Sequence, residues 1–164
     1  MTASMAEVYE NTRKLVGVVH PRVLGRIERR DLERFCAATG ASIASPGRAG
    51  PDSGRPLVAH PLYLTAVLGW RPGPANEELR PDGTEVLDID AIPLSGLRLM
   101  GGGQDLELHA DVTEGMTVRS EFSLEDVEIK EGRSGSLLLL HVLRQYWDDQ
   151  GTLLVTCRET LMAR

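Results

Sequence analysis

Aromatic residues make up only 4% of the 164-residue chain. A core of the size such a chain can bury must therefore come from Leu, Val, Ile and Ala, within a hydrophobic content of 41%. Cysteine is scarce too. Cys36 and Cys157 stand alone, outside any CxxC pair, which excludes a disulfide framework and fits a reducing compartment. No His, Cys and Asp cluster has zinc-site spacing, so no metal is expected. Basic charge is in deficit: 18 Lys and Arg against 24 Asp and Glu give a net charge of -6. A nucleic-acid surface is therefore not expected as the main function, with Arg22, Arg26, Arg29 and Arg30 as the one candidate basic patch. No run approaches the roughly 20 apolar residues of a membrane span. The longest, at 137–143, is interrupted by His141. The first residues, "MTASMAEVYENTRK", hold no apolar segment of a secretory signal. The expectation is a soluble, cytoplasmic protein with neither a nucleic-acid nor a membrane partner.

What is present begins with "RVLGRIERRDLERFCAATG", which reads as a strand and then a helix. Val23 and Ile27 are its apolar strand positions. Asp31 suits the first helical turn, where negative charge meets the positive end of the dipole. Leu32, Phe35 and Cys36 fall on one helical face, and Gly40 suits the C-terminal stop. Two Gly- and Pro-rich stretches, 44–56 and 71–85, read as long loops, the second with a short turn at "NEEL". Between them, "HPLYLTAVLGW" runs from His60 to Trp70. Pro61 suits a first helical turn, and no charge follows it, so a helix buried on all sides is expected.

The second half changes period. "QDLELHADV" alternates, with Leu106, Leu108 and Ala110 opposite Asp105, Glu107, His109 and Asp111, as a half-buried strand does. In "MTVRSEFSLEDVEIK", Val118, Phe122 and Leu124 share one parity while Val127 and Ile129 take the other. That switch predicts a bulge near Glu125. "EGRSG" and "DDQG" turn the chain between "SLLLLHVLRQYWD" and its neighbours, and "TLLVTCRETLM" closes it. Long strands joined by short turns make an antiparallel meander. A helix apolar all round needs a sheet curled about it, so the expected class is α+β, a hot-dog fold with an antiparallel sheet wrapped around a central buried helix. Residues 1–12 are expected to be a flexible N-terminus and 13–164 a single domain.

Three segments carry a family resemblance: "RIERRDLERFCAATG", "PLVAHPLYLTAVLGW", and the sheet segment from "GLRLMGGGQDLELHADV" through "EGRSG" to the end. Together they resemble the MaoC-like (R)-hydratases and dehydratases of acyl thioesters, and more closely their FAS1-like dehydratase branch. Catalysing members carry Asp-x-Asn-Pro-x-His just after the first helix, an acid and a base sharing the work of moving water across a carbon–carbon bond. Laid on this sequence, the pattern falls on Ala41, Ile43, Ala44 and Pro46, none of which transfers a proton. In that branch a degenerate half pairs with a catalytic half. The resemblance thus implies a non-catalytic, substrate-binding subunit of a 3-hydroxyacyl or enoyl thioester dehydratase, paired with a catalytic MaoC-like chain. The substrate would be acyl-CoA or acyl-ACP, with no cofactor and with acyl carrier protein as a further partner. A homodimer acting alone is the alternative, a thioesterase, isomerase or cyclase using His60; a binding module for acyl groups or an apolar small molecule is another.

The residues singled out for substrate binding are His60, Pro61, Tyr63, Gly102 and Gly103. His60 is the one weak catalytic candidate: either a pocket imidazole near the thioester or a histidine at the helix start bonded to loop backbone, the commoner case. Tyr63 either points its hydroxyl into the pocket or, more commonly, sits in the core. Gly102 and Gly103 lie in "GGGQ", which no Lys-Ser/Thr follows, so a bulge or close backbone approach to a ligand is expected rather than a phosphate loop. His109 is expected at solvent or an interface, His141 bonding across the sheet or a dimer seam, Cys36 in the helix core, Cys157 as an inert buried thiol. Asp88 and Asp90 read as loop or cap residues.

Overall fold

Ser4 accepts a hydrogen bond from the Glu7 amide at 3.2 Å and so starts the first helix, α1 (Met5–Arg13). The computed structural model describes residues 4–41, 56–66, 75–79, 91–94, 96–132 and 135–164. A flexible segment was expected over 1–12, and α1 corrects it. Met5, Val8 and Tyr9 recur at helical spacing, and Val8 is buried in a cluster with Phe122 and Leu124, against which Met5 and Tyr9 pack. The stripe is too short to register as an apolar run, yet long enough to dock one helix.

Strand β1 (Val19–Arg26) and helix α2 (Arg29–Thr39) follow as the pattern predicts. Leu32 and Cys36 are buried on α2, Asp31 lies in its first turn, and Gly40 ends it at φ 67, a left-handed conformation costly for other residues. Val23 departs from expectation at 71% exposure, because it lies on the sheet face that carries no described helix; Ile27, just past the strand, is fully buried instead. Helix α3 is described over Tyr63–Ala66. It is not buried all round: Tyr63 and Leu64 face the core, while Leu62, just before it, is 44% exposed and Ala66 is exposed. Residues 67–70 of the expected helix lie outside the described residues, as do Ile43, Ala44, Pro46, Asp88 and Asp90. A 3-10 turn at Asn76–Glu78 matches "NEEL".

Strands β2 (Leu99–Leu108), β3 (Thr117–Gly132), β4 (Gly135–Asp148) and β5 (Leu153–Ala163) complete one antiparallel sheet in the order β1-β3-β4-β5-β2. The register of β3 on β4 shifts between Leu124 and Asp126, the bulge that the parity switch predicts. It lets Phe122, Leu124 and Val127 all be buried on one face. At the "DDQG" turn, the Asp148 carboxylate accepts from the amides of Gln150 and Thr152 at 2.9 and 2.7 Å. The three described α-helices lie on the same face. Leu32 of α2 and Tyr63 and Leu64 of α3 pack with Val118, Tyr146 and Val155, while Val8 of α1 packs with Phe122 and Val142. This is an α+β hot-dog fold. Strand β2 is less buried than its alternation implies, with Leu108 55% exposed and Leu106 half-buried. It lies at the outer edge of the sheet, where among the described residues β5 is its one neighbour.

Candidate functional site

The segment that leads to His60 is laced to the β2–β3 connection. The Ala59 amide donates to Val112 O at 2.7 Å, and the Glu114 amide donates to Leu57 O at 2.8 Å. The Glu114 side chain makes the lacing two-sided. It accepts from the Leu57 amide at 3.2 Å and pairs with Arg29 Nη2, at the start of α2, at 2.9 Å. The Leu57 amide, and secondarily the Arg29 guanidinium, hold the Glu114 carboxyl below the usual carboxylate range. One carboxylate therefore fixes α2, the 57–60 segment and the β2–β3 connection relative to one another.

A pocket of about 360 Å³ opens beside this joint. Its walls include His60, Pro61, Leu64, Leu108, Asp111 and Val155. The volume lies within the range of small-molecule sites, and a mostly apolar lining with a few polar groups is typical of them. His60 Nδ1 accepts from the Leu62 amide at 3.1 Å, which leaves the proton of a neutral ring on Nε2. The His60 ring also packs against Phe35 of α2, with centroids 5.6 Å apart. An imidazole held on both sides in this way can offer one N–H to a carbonyl oxygen.

The five predicted binding residues do not converge. His60 and Pro61 line the pocket. Tyr63 does not. It is 3% exposed, edge-on to Phe35 at 5.4 Å, and burial, with a lesser contribution from Asp31, pushes its hydroxyl up to about 12. Gly102 and Gly103 sit farther along β2, where the register against β5 shifts between Gly101 and Gly103. There a Cβ on Gly102 would meet Thr160 O at 2.9 Å, so the glycine serves strand packing. Sequence reading missed Asp111 and His109 as wall residues. The alternation of "QDLELHADV" sent both to the polar face, but β2 ends at Leu108 and the parity ends with it. His109 Nε2 lies 3.0 Å from Thr156 Oγ1.

The other two histidines, His20 and His141, and both cysteines do not line the pocket. His141 bridges the sheet, with Nε2 3.3 Å from Glu128 Oε1 and Nδ1 3.4 Å from Thr160 Oγ1. The His20 ring packs 5.9 Å from Phe122. Cys36 and Cys157 are buried free thiols, and burial, then the Glu159 charge, pushes Cys157 up to about 12. The arginine patch is largely neutralised. Arg26 faces Glu28 at 3.8 Å, Arg29 pairs with Glu114, and Arg30 faces Asp31 at 3.5 Å. Among the described residues no group of three or more His, Cys, Asp and Glu could hold a metal ion, and no helix is long and apolar enough to cross a membrane.

The profile of the FAS1-like dehydratase domain region matches residues 14–157. The chain belongs to this FAS1-like dehydratase family. No curated protein matches this chain. Among solved structures, the chain is similar to the ChsH1–ChsH2 complex of Mycobacterium tuberculosis, with TM-score 0.65 and 14% identity over 97% of this chain and 92% of that one. The HadBC (3R-hydroxyacyl-ACP dehydratase) complex of the same organism gives TM-score 0.59 and 16% identity over 90% and 96%. The R-hydratase PhaJ1 of Pseudomonas aeruginosa gives 0.54 and 18% over 90% and 81%. At these identities the likeness establishes the shared hot-dog fold.

Proposed function

We propose that this chain is the non-catalytic, substrate-binding subunit of a 3-hydroxyacyl or enoyl thioester dehydratase/hydratase, paired with a catalytic MaoC-like chain. One observation carries the reading. Where a catalysing relative holds its acid and base, this chain has Ala41 and Pro46. Dehydration removes a C2 proton and expels the C3 hydroxyl as water, and each transfer needs a titratable group within hydrogen-bond reach. In this reading the partner supplies both groups, while the pocket walled by His60, Pro61 and Leu64 holds the thioester end of a CoA or acyl-carrier-protein substrate. Two solved relatives that are themselves two-component complexes support a paired assembly.

The sheet offers two edges for that partner. On β1, Pro21 lacks the amide hydrogen that a joining strand would accept, and a bulge lies between Val23 and Gly25. Strand β2 has no proline and exposes Leu99, Met100 and Leu108. The partner, in this reading, adds to β2, next to the pocket wall at Leu108.

Co-expression with a hot-dog chain that retains Asp-x-Asn-Pro-x-His, followed by an enoyl-thioester hydration assay, tests the proposal. The pair is expected to be active and this chain alone inactive. Full activity of the isolated chain would overturn the reading in favour of a stand-alone enzyme using His60, the imidazole on the pocket wall. In the active pair, His60→Ala is expected to raise KM several-fold and leave kcat little changed, the pattern of lost ground-state binding.

A further inference from the structure

The pocket wall is drawn from two segments, 58–61 and 108–112, together with Leu64 and Val155. The two segments meet as a short antiparallel ladder, with Val58 bridged to Thr113. Glu114 stands just past that ladder and does not line the pocket. The backbone already ties the β2–β3 connection to its neighbours. The Gly115 amide donates to Ile27 O and the Ile27 amide to Met116 O, both at 2.8 Å, and the Glu114 amide donates to Leu57 O. The Glu114 carboxylate adds two further arms. One accepts from the Leu57 amide at 3.2 Å. The other takes the Arg29 guanidinium as a fork, with Nε 3.2 Å from Oε1 and Nη2 2.9 Å from Oε2. The two side chains are 35% and 27% exposed, and an ion pair so open to water stabilises a fold only modestly. Holding the chain together is therefore a weak reason for the joint.

Both arms lead to His60. Leu57 precedes it by three residues, at most about 10 Å of chain, so a shift at the Leu57 amide carries to the His60 backbone. Arg29 opens α2, and Phe35 of the same helix packs 5.6 Å from the His60 ring and edge-on to Tyr63. A tilt of α2 moves Phe35 against the imidazole. The backbone that carries the ring and the ring that packs on it thus refer to one carboxylate. A donor aimed at a ligand has to be held to within about 0.5 Å. We propose that Glu114 is a positioning residue: through Leu57, and through Arg29 and Phe35, it sets where the His60 N–H points in the pocket. That this N–H meets a thioester carbonyl rests on the thioester reading of the pocket; the placement of the ring does not.

The first test is imidazole nitrogen NMR on the full chain, with His60→Ala assigning the His60 signals. The wild type is expected to show an unprotonated Nδ1 and a protonated Nε2. Glu114→Gln is expected to move both signals toward the averaged values of a ring free to exchange tautomers. Arg30→Gln removes a charge from the same helical turn without touching the joint, and is expected to leave them in place. Unchanged His60 signals in Glu114→Gln would overturn the inference. The second test is kinetic, in the active pair. Glu114→Gln is expected to raise KM several-fold with kcat little changed, and to add less than about twofold when His60 is already Ala, because the two residues then act as one. Effects that multiply in full would overturn the inference while the thioester reading stands. A KM indifferent to His60→Ala, with His60 signals that still follow Glu114, would overturn the thioester role of His60 and keep the positioning. If Glu114→Gln does not fold, Arg29→Gln, which spares the Leu57 bond, decides by the same two readings.

Discussion

Single buried groups set the chain's response to alkali. Cys157 has an ordinary value of 9.0 and is pushed up to about 12, chiefly by burial. Tyr63 rises from 10.0 to about 12 for the same principal reason. A raised folded value means that the native state holds the proton more tightly. The stability linked to Cys157 is therefore complete below pH 9.0 and is lost as pH rises through about 12. Tyr63 adds a parallel loss beginning near 10. Urea unfolding across this window is expected to show a steep decline, made shallower by Cys157→Ala and by Tyr63→Phe. Native Cys157 is expected to resist thiol reagents until the chain unfolds. The buried thiol was legible from an apolar strand without a catalytic neighbour. The wall position of Asp111 was not, because a strand's parity is readable only as far as the strand extends, and nothing in "LHADV" marks its end.

At the scale of elements, two joints are decisive. The β2–β5 bulge needs a residue without a side chain at Gly102. Gly102→Ala is expected to cost about 1–3 kcal/mol by forcing a Cβ onto the Thr160 carbonyl, read as a lower urea midpoint. Gly101→Ala, with open space around its Cβ, is the near-neutral control. The second joint is Glu114. Its depressed carboxyl contributes stability above its ordinary value of 4.5, lost as pH falls through the lower folded value. Glu114→Gln is expected to lower Tm by a few degrees at neutral pH and to flatten the acid limb of the stability curve. Strand parity and turn chemistry made β3, β4, β5 and the Leu124/Asp126 bulge readable from sequence alone. Helix α1 escaped notice because a three-residue stripe gains its meaning only from the sheet face it covers. The Glu114 joint could not be read because it closes over 85 residues of sequence between Arg29 and Glu114.

For the whole molecule, the question is which surface meets a partner. Substituting Met100→Lys and Leu108→Lys, two exposed residues of edge strand β2, is expected to abolish pairing with a catalytic chain in native mass spectrometry. The Tm of the isolated chain should move little, since both side chains are already 40% and 55% exposed. Val19→Lys on β1, 53% exposed, is expected to leave pairing intact. The hot-dog fold was readable because apolar alternation dictates which face is covered. A partner's identity is not written in one chain's alternation.

Pro21 has a consequence for growth. A sheet open at both edges can add neighbours indefinitely, and its end state is a filament. With one edge blunted at Pro21 and the other, β2, paired among the described residues with β5 alone, addition through β2 as proposed would be self-terminating. If the proposed pairing through β2 holds, each chain joins one neighbour and then presents only capped margins to the solution. A single ring-closed residue near the start of the sheet would thereby fix the stoichiometry at its far end.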